Sequence, residues 1–160
     1  MKPKNVTLQD QRIIYAQAKG KINNDYTQAA DRAFNKICAF LSANNLWGQV
    51  GDCLSVSPDE TGTIPSEECR YLGGFILKPD TEVTETDDIR IMRLSGGKFA
   101  VFRHIGPYET LWQTWNAVYR DWLPSSGVKL RDVEPFEIYL DDKQKTSPDR
   151  LRTDIYIAIE

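Results

Sequence analysis

Along this chain, apolar and polar residues alternate in short bursts, broken by two longer stretches with a wider period. The first burst, Arg12-Ile13-Ile14-Tyr15-Ala16, is rich in β-branched and aromatic side chains and predicts a strand. After Gly20 and Asn23-Asn24-Asp25, apolar positions fall at Tyr26, Ala29/Ala30, Ala33/Phe34, Ile37/Cys38 and Leu41. That is the three-and-four spacing of one buried helix face. Asn24 or Asp25 is placed to cap this helix, and Asn44-Asn45 followed by Gly48 to close it. Shorter strands are predicted at 53–57 and 71–77, with Pro58-Asp59-Glu60-Thr61-Gly62-Thr63 as an exposed connection between them.

The second half runs through the same programme. A strand is expected at 89–94, and Ser95-Gly96-Gly97 predicts a tight hairpin into a strand at 98–103. Gly106-Pro107 precedes a second helix with Tyr108, Leu111/Trp112, Trp115, Val118/Tyr119 and Trp122/Leu123 on one face. Pro124-Ser125-Ser126-Gly127 ends it, and strands follow at 136–140 and 155–159. Residues 12–20 lie over 98–106, and Pro65 with Arg70-Tyr71 matches Pro148 with Arg152-Thr153, giving a period of about 82 to 86 residues. Neither copy can bury both faces of its own sheet and helix, so the two should share one core around a pseudo-twofold axis. The expected fold class is α+β. Two pseudo-symmetric strand-helix-strand-strand modules, about 5–80 and 88–160, would form an antiparallel sheet with two helices, residues 1–160 making a single domain.

Composition narrows the function. A hydrophobic fraction of 41% and a charged fraction of 27% in 160 residues suit an ordinary globular core. The net charge of −3 lacks the basic excess of a general nucleic-acid binder and fits cationic partners better. Cys38, Cys53 and Cys69 stand in no metal-ligand spacing, and a lone His104 rules out any site needing two imidazoles. The start, Met1-Lys2-Pro3-Lys4-Asn5, has no apolar signal segment, and no run approaches a membrane span. A cytoplasmic protein with reduced thiols, away from membranes, is expected. No phosphate loop, dinucleotide fingerprint or nucleophile elbow is present, so no cofactor or metal is implied and no catalytic residue is assigned. Gly73-Gly74 and Gly96-Gly97 suit bulges or hairpins, Asp87-Asp88 and Asp141-Asp142 solvated loops, and His104 a structural turn.

Four motifs carry a family resemblance. The run from Gly97 through Arg103-His104-Ile105-Gly106-Pro107-Tyr108 is similar to the signature of GyrI-like domains. So are Trp122-Leu123-Pro124-Ser125-Ser126-Gly127, Phe136-Glu137-Ile138-Tyr139 and Asp154-Ile155-Tyr156-Ile157. Together they cover about residues 94–160; the first half matches in layout only. The resemblance, to effector-binding domains of AraC/XylS-type and multidrug-sensing regulators and to gyrase inhibitors, implies a ligand cavity near the pseudo-dyad. It also implies a glutamate among aromatic rings that receives hydrophobic cations, here Glu137. With 160 residues, the chain is expected to be the sensor module standing alone.

Strand alternation sets Phe136, Ile138 and Leu140 on one side and Glu137 with Tyr139 on the other. Alternation alone would put Glu137 in water; the resemblance turns it inward. The ligand-binding candidates are Glu137, Tyr139, Trp112, Tyr71, Trp115, Phe75 and Tyr15, whereas Trp122 belongs to the core stripe. The expected partner is an amphipathic, hydrophobic cationic small molecule, with a regulator or topoisomerase as a separate protein partner. The resemblance implies two alternatives: a gyrase-inhibitor-like interaction protein, or a hydrolase of strained-ring natural products using the same glutamate.

Overall fold

The computed structural model describes residues 1–59 and 63–160. Its first half contains β1 (Lys4–Leu8), β2 (Gln11–Lys19), α1 (Thr27–Ala43), β3 (Val50–Val56) and β4 (Arg70–Leu77). Next come β5 (Ile89–Leu94) and β6 (Gly97–Ile105), followed by a helical rod over residues 111–126. The rod joins α2 (Leu111–Asn116), a π-helical segment (Ala117–Trp122) and α3 (Leu123–Ser126). β7 (Phe136–Tyr139) and β8 (Arg152–Ala158) complete the fold. It is an α+β fold with one open, antiparallel eight-stranded sheet in the order β1-β6-β8-β7-β3-β4-β2-β5.

Both faces of the sheet carry core side chains. On β2, Ile14 and Ala16 turn toward α1, which packs Ile37 and Leu41 on them. On β6 and β8, Ala100, Phe102, Ile155 and Ile157 turn toward the rod and its buried Val118. The alternate positions, Ile13, Leu54, Leu72, Phe99, Phe136 and Ile138, form a second core on the opposite face. Val6 and Leu8 from one sheet edge and Met92 and Leu94 from the other reach that same core, so the sheet wraps around it.

That wrapping corrects the reading of Ser95-Gly96-Gly97 as a hairpin. β5 pairs with β2, and β6 pairs with β1 and β8; β5 and β6 do not pair with each other. The segment is a corner between opposite ends of the sheet. The Gly96 N–H donates to Asp10 Oδ1 at 2.7 Å, Arg93 pairs with the same carboxylate, and a Cβ at Gly96 would collide with the Leu8 carbonyl. β1 has no counterpart among the predicted strands because Lys4-Asn5-Val6-Thr7-Leu8 has only two apolar residues. Its place depends on β6, a partner distant in sequence.

Gly73 and Gly74 are likewise neither bulge nor hairpin residues. Both lie mid-strand on β4, where a Cβ at Gly74 would strike the Ile14 carbonyl on neighbouring β2. The register shift is on β3, between Val50 and Cys53. At the start of α1, Asp25 Oδ1 accepts from the Thr27 N–H at 3.0 Å and the Thr27 hydroxyl at 2.7 Å.

Two ion pairs recur at equivalent places. Arg70 donates from its backbone N–H and guanidinium to Asp59, and Arg152 does the same to Asp141. Asp59 is buried, contrary to the expectation of an exposed connection; Glu60-Thr61-Gly62 lie outside the described residues. His104 is buried at the end of β6, with Nδ1 2.7 Å from Thr114 Oγ1 and Nε2 3.2 Å from the Pro107 carbonyl. It therefore ties the strand to the rod.

Candidate functional site

The two helical elements cover different halves of the sheet and leave its centre, β3 and β7, open between them. A cleft of about 1410 Å³ occupies the gap. β7 supplies Glu137 and Tyr139 to its floor, β3 supplies Cys53 and Ser55, and β4 supplies Tyr71 and Phe75. α1 contributes Phe34 and Cys38, and the rod Leu111, Trp112, Trp115 and Tyr119.

Six sequence candidates, Glu137, Tyr139, Tyr71, Phe75, Trp112 and Trp115, thus lie on one cleft. Tyr15 does not. Its neighbours Ile14 and Ala16 face α1, so the period of two turns Tyr15 to the opposite face, where it packs on the second core and borders a small pocket with Asp87 and Arg90. The helix stripe also needs correction: Trp112 and Tyr119 are each 38% exposed, while Val118 is buried. The π-helical segment widens the turn and rotates the following side chains, so the predicted stripe is not one continuous face. Trp122 packs edge-on against Phe102 at 4.8 Å.

The floor is a polar cluster walled by rings. Glu137 is 8% exposed and lies opposite Ser55 in the β3–β7 register. Ser55 Oγ is 3.4 Å from Glu137 Oε1 and 2.7 Å from the Tyr139 hydroxyl, which is 2.7 Å from the Tyr71 hydroxyl. Phe34 presents its edge to Tyr71, Phe75 and Tyr139, with centroids 6.1–6.3 Å apart. Tyr108 meets Tyr139 at 5.4 Å, and Tyr26 meets Tyr71 at 5.5 Å.

Burial and then the negative charge of Glu137 push the Tyr139 hydroxyl well above the usual phenol range, and Tyr71 rises for the same two reasons. Burial lifts Tyr108 to about 12 and, with Cys38 and Asp52 adding, Cys53 to about 12. These four groups therefore keep their protons at neutral pH. At the mouth, Lys143 reaches Asp31 on α1 at 3.1 Å, and the Lys21 ammonium lies 5.4 Å from the Tyr26 ring centroid. Acidic residues outnumber basic ones around the cleft: Asp25, Asp31, Glu134, Glu137, Asp141 and Asp142 against Lys21, Arg120 and Lys143. Among the described residues, no group of three His, Cys, Asp or Glu is placed to hold a metal ion, and no helix is long and apolar enough to cross a membrane.

Ser55, Phe34, Tyr108 and Tyr26 were missed as site residues. Phe34, Tyr26 and Tyr108 fitted helix core stripes. Ser55 becomes significant only through its register with Glu137, which no local pattern encodes.

Comparison with protein families matches residues 1–160 to the GyrI-like small molecule binding domain. The chain belongs to that family. This GyrI-like domain is 35% identical over 66 residues to the probable transcriptional regulator YgiV of Escherichia coli (strain K12). That match spans 41% of each chain, so the domain aligns with about two fifths of YgiV. Among solved structures it resembles the EcmrR C-terminal domain with TM-score 0.73 and 12% identity, covering 99% of this chain and 97% of that one. It also resembles SAV2435 bound to tetraphenylphosphonium, with TM-score 0.69 and 13% identity, covering 100% and 94%. At these identities the structural matches show a shared fold.

Proposed function

We propose that the cleft binds amphipathic small molecules carrying a positive charge, with Glu137 as the counter-charge. The observation that carries this reading is a nearly buried carboxylate on the floor of an open, ring-lined cleft. Removing a carboxylate from water costs several kcal/mol, and a cation at about 4 Å recovers on the order of 4 kcal/mol at an effective dielectric of about 20. Contact with an aromatic face adds roughly 0.5–2 kcal/mol, and apolar contact adds about 25 cal/mol per Å². Set against association entropy, these terms suit roughly micromolar affinity. Such a site reads charge and greasiness more than shape, so the proposed ligand range is broad. SAV2435, of the same fold, was solved with a lipophilic cation, which supports this reading. Coupled to a separate protein, the domain would serve as a sensor; without one, it would serve as a sink or carrier.

Titration with tetraphenylphosphonium, followed by tryptophan fluorescence, tests the proposal because Trp112 and Trp115 line the cleft. Glu137→Gln should weaken the cation on the order of 10- to 100-fold while leaving an uncharged isostere within threefold. Equal loss for both would overturn the charge-reading mechanism.

A further inference from the structure

The polar cluster on the cleft floor has a direction. It has three contacts in series: Tyr71 to Tyr139 at 2.7 Å, Tyr139 to Ser55 at 2.7 Å, and Ser55 to Glu137 at 3.4 Å. Three hydroxyls bring one hydrogen each, and an ionised carboxylate only accepts. Ser55 therefore points its hydrogen at Glu137, across a long contact whose orientation is set by charge. Ser55 must then accept from Tyr139, and Tyr139 from Tyr71. All three O–H dipoles align head to tail toward the carboxylate, each polarising the next. Protonation of Glu137 would remove the charge that sets this order. Ser55 is 1% and Tyr71 3% exposed, so both side chains are withdrawn from bulk solvent.

We infer that Ser55 and Tyr71 act through Tyr139 as a one-way hydroxyl relay. The relay holds Glu137 in its ionised form and so sets the acid limit of cation uptake by the cleft. Both are positioning residues, and the inference rests on the cation-binding reading above. The neighbouring titratable groups do not confuse the readout. Tyr71 on β4, Tyr139 on β7, Cys53 on β3, Tyr108 before α2 and Cys38 on α1 are all shifted upward, chiefly by burial. They keep their protons through the acid-to-neutral window. Glu134, raised chiefly by burial, and Asp25, Asp31, Asp141 and Asp142 around the cleft are common to every variant compared, so differences between midpoints report on the relay.

The experiment measures tetraphenylphosphonium affinity by calorimetry from pH 4 to pH 8, for the full chain and for Ser55→Ala, Tyr71→Phe, Ser55→Thr and Glu137→Gln. The probe has no titratable group, so the midpoint of affinity against pH reports on the protein. Ser55→Ala should raise that midpoint by about one pH unit, so that binding weakens about tenfold more below the midpoint than above it. Tyr71→Phe, one bond further away, should raise it by about half a unit. Ser55→Thr should restore the original midpoint. A relay with no function would leave the midpoints of Ser55→Ala and Tyr71→Phe equal to that of the unaltered chain, with any loss uniform across pH, and that result overturns the inference. Failure of the cation reading itself looks different: the unaltered chain would not bind the probe, or Glu137→Gln would bind it equally well.

Discussion

Ser55 and Glu137 face each other across the central β3–β7 pair, 82 residues apart in sequence. The same offset relates Asp59 to Asp141 and Arg70 to Arg152, so the two residues occupy equivalent positions about the axis between β3 and β7. One of the pair is a small hydroxyl and the other a carboxylate. That difference makes an otherwise repeated floor electrically one-sided, and Ser55 is free to turn its hydrogen toward its counterpart.

Restoring the symmetry should therefore be costly. Ser55→Glu would set two nearly buried carboxylates against each other, where desolvation and like charge both raise the folded-state pKa above the unfolded value of about 4.3. A raised folded pKa means that stability falls as pH rises through that range. The variant should lose about 3 kcal/mol at pH 7 and recover much of it near pH 4, as checked by urea unfolding at both values.

Phe34 and Trp112 should separate stability from binding. Phe34→Ala removes an edge contact to three rings and should cost about 2 kcal/mol as well as weakening tetraphenylphosphonium. Trp112 is exposed at the cleft, so Trp112→Ala should change stability by less than about 0.5 kcal/mol yet weaken the same probe severalfold. Thermal unfolding and titration of both variants provide the check.

Adjacent glycines on β4 should respond unequally to the same change. A Cβ at Gly73 would lie 3.1 Å from Phe34 Cε2 and from Tyr71 Cε1, two rings that can shift, so Gly73→Ala should cost about 1 kcal/mol and crowd the cleft floor. At Gly74 the obstacle is the Ile14 carbonyl on a paired strand, which cannot move without breaking the ladder. Gly74→Ala should be the more destabilising of the two by urea unfolding.

Acid should act through the repeated ion pairs. Hydrogen bonds from Arg70 and Arg152 hold the Asp59 and Asp141 carboxyls below the usual range. A depressed folded pKa contributes stability above the unfolded value, and that stability is lost as pH falls through the folded value. The double variant Asp59→Asn/Asp141→Asn should be less stable than the unaltered chain at pH 7, and the two should converge as pH drops toward 2. Denaturation curves across pH measure this directly.

The elements were legible because each carries its own period. Ile37 and Leu41 mark the buried side of α1, and Phe136 and Ile138 the core side of β7, whatever surrounds them. The corner at Ser95-Gly96-Gly97 was misread because a glycine turn between two strands looks the same whether or not the strands pair. Only the closure of Asp10 onto Gly96 and Arg93 distinguishes them. Tyr15 was misplaced for a related reason: its ring suits a pocket wall, but its face depends on which neighbours α1 covers.

By itself, the sequence determined the helices, most of the strands and the side of β7 that Glu137 shares with Tyr139, since these follow from spacings of two and about 3.6 residues within short segments. Tertiary structure alone decided that this side faces a cleft, that Ser55 and Tyr71 meet there, and that Phe34 closes it from α1. The physical reason is that local periodicity separates two faces without saying what lies beyond either. What lies there is set by strand pairing and by helices packed from distant parts of the chain.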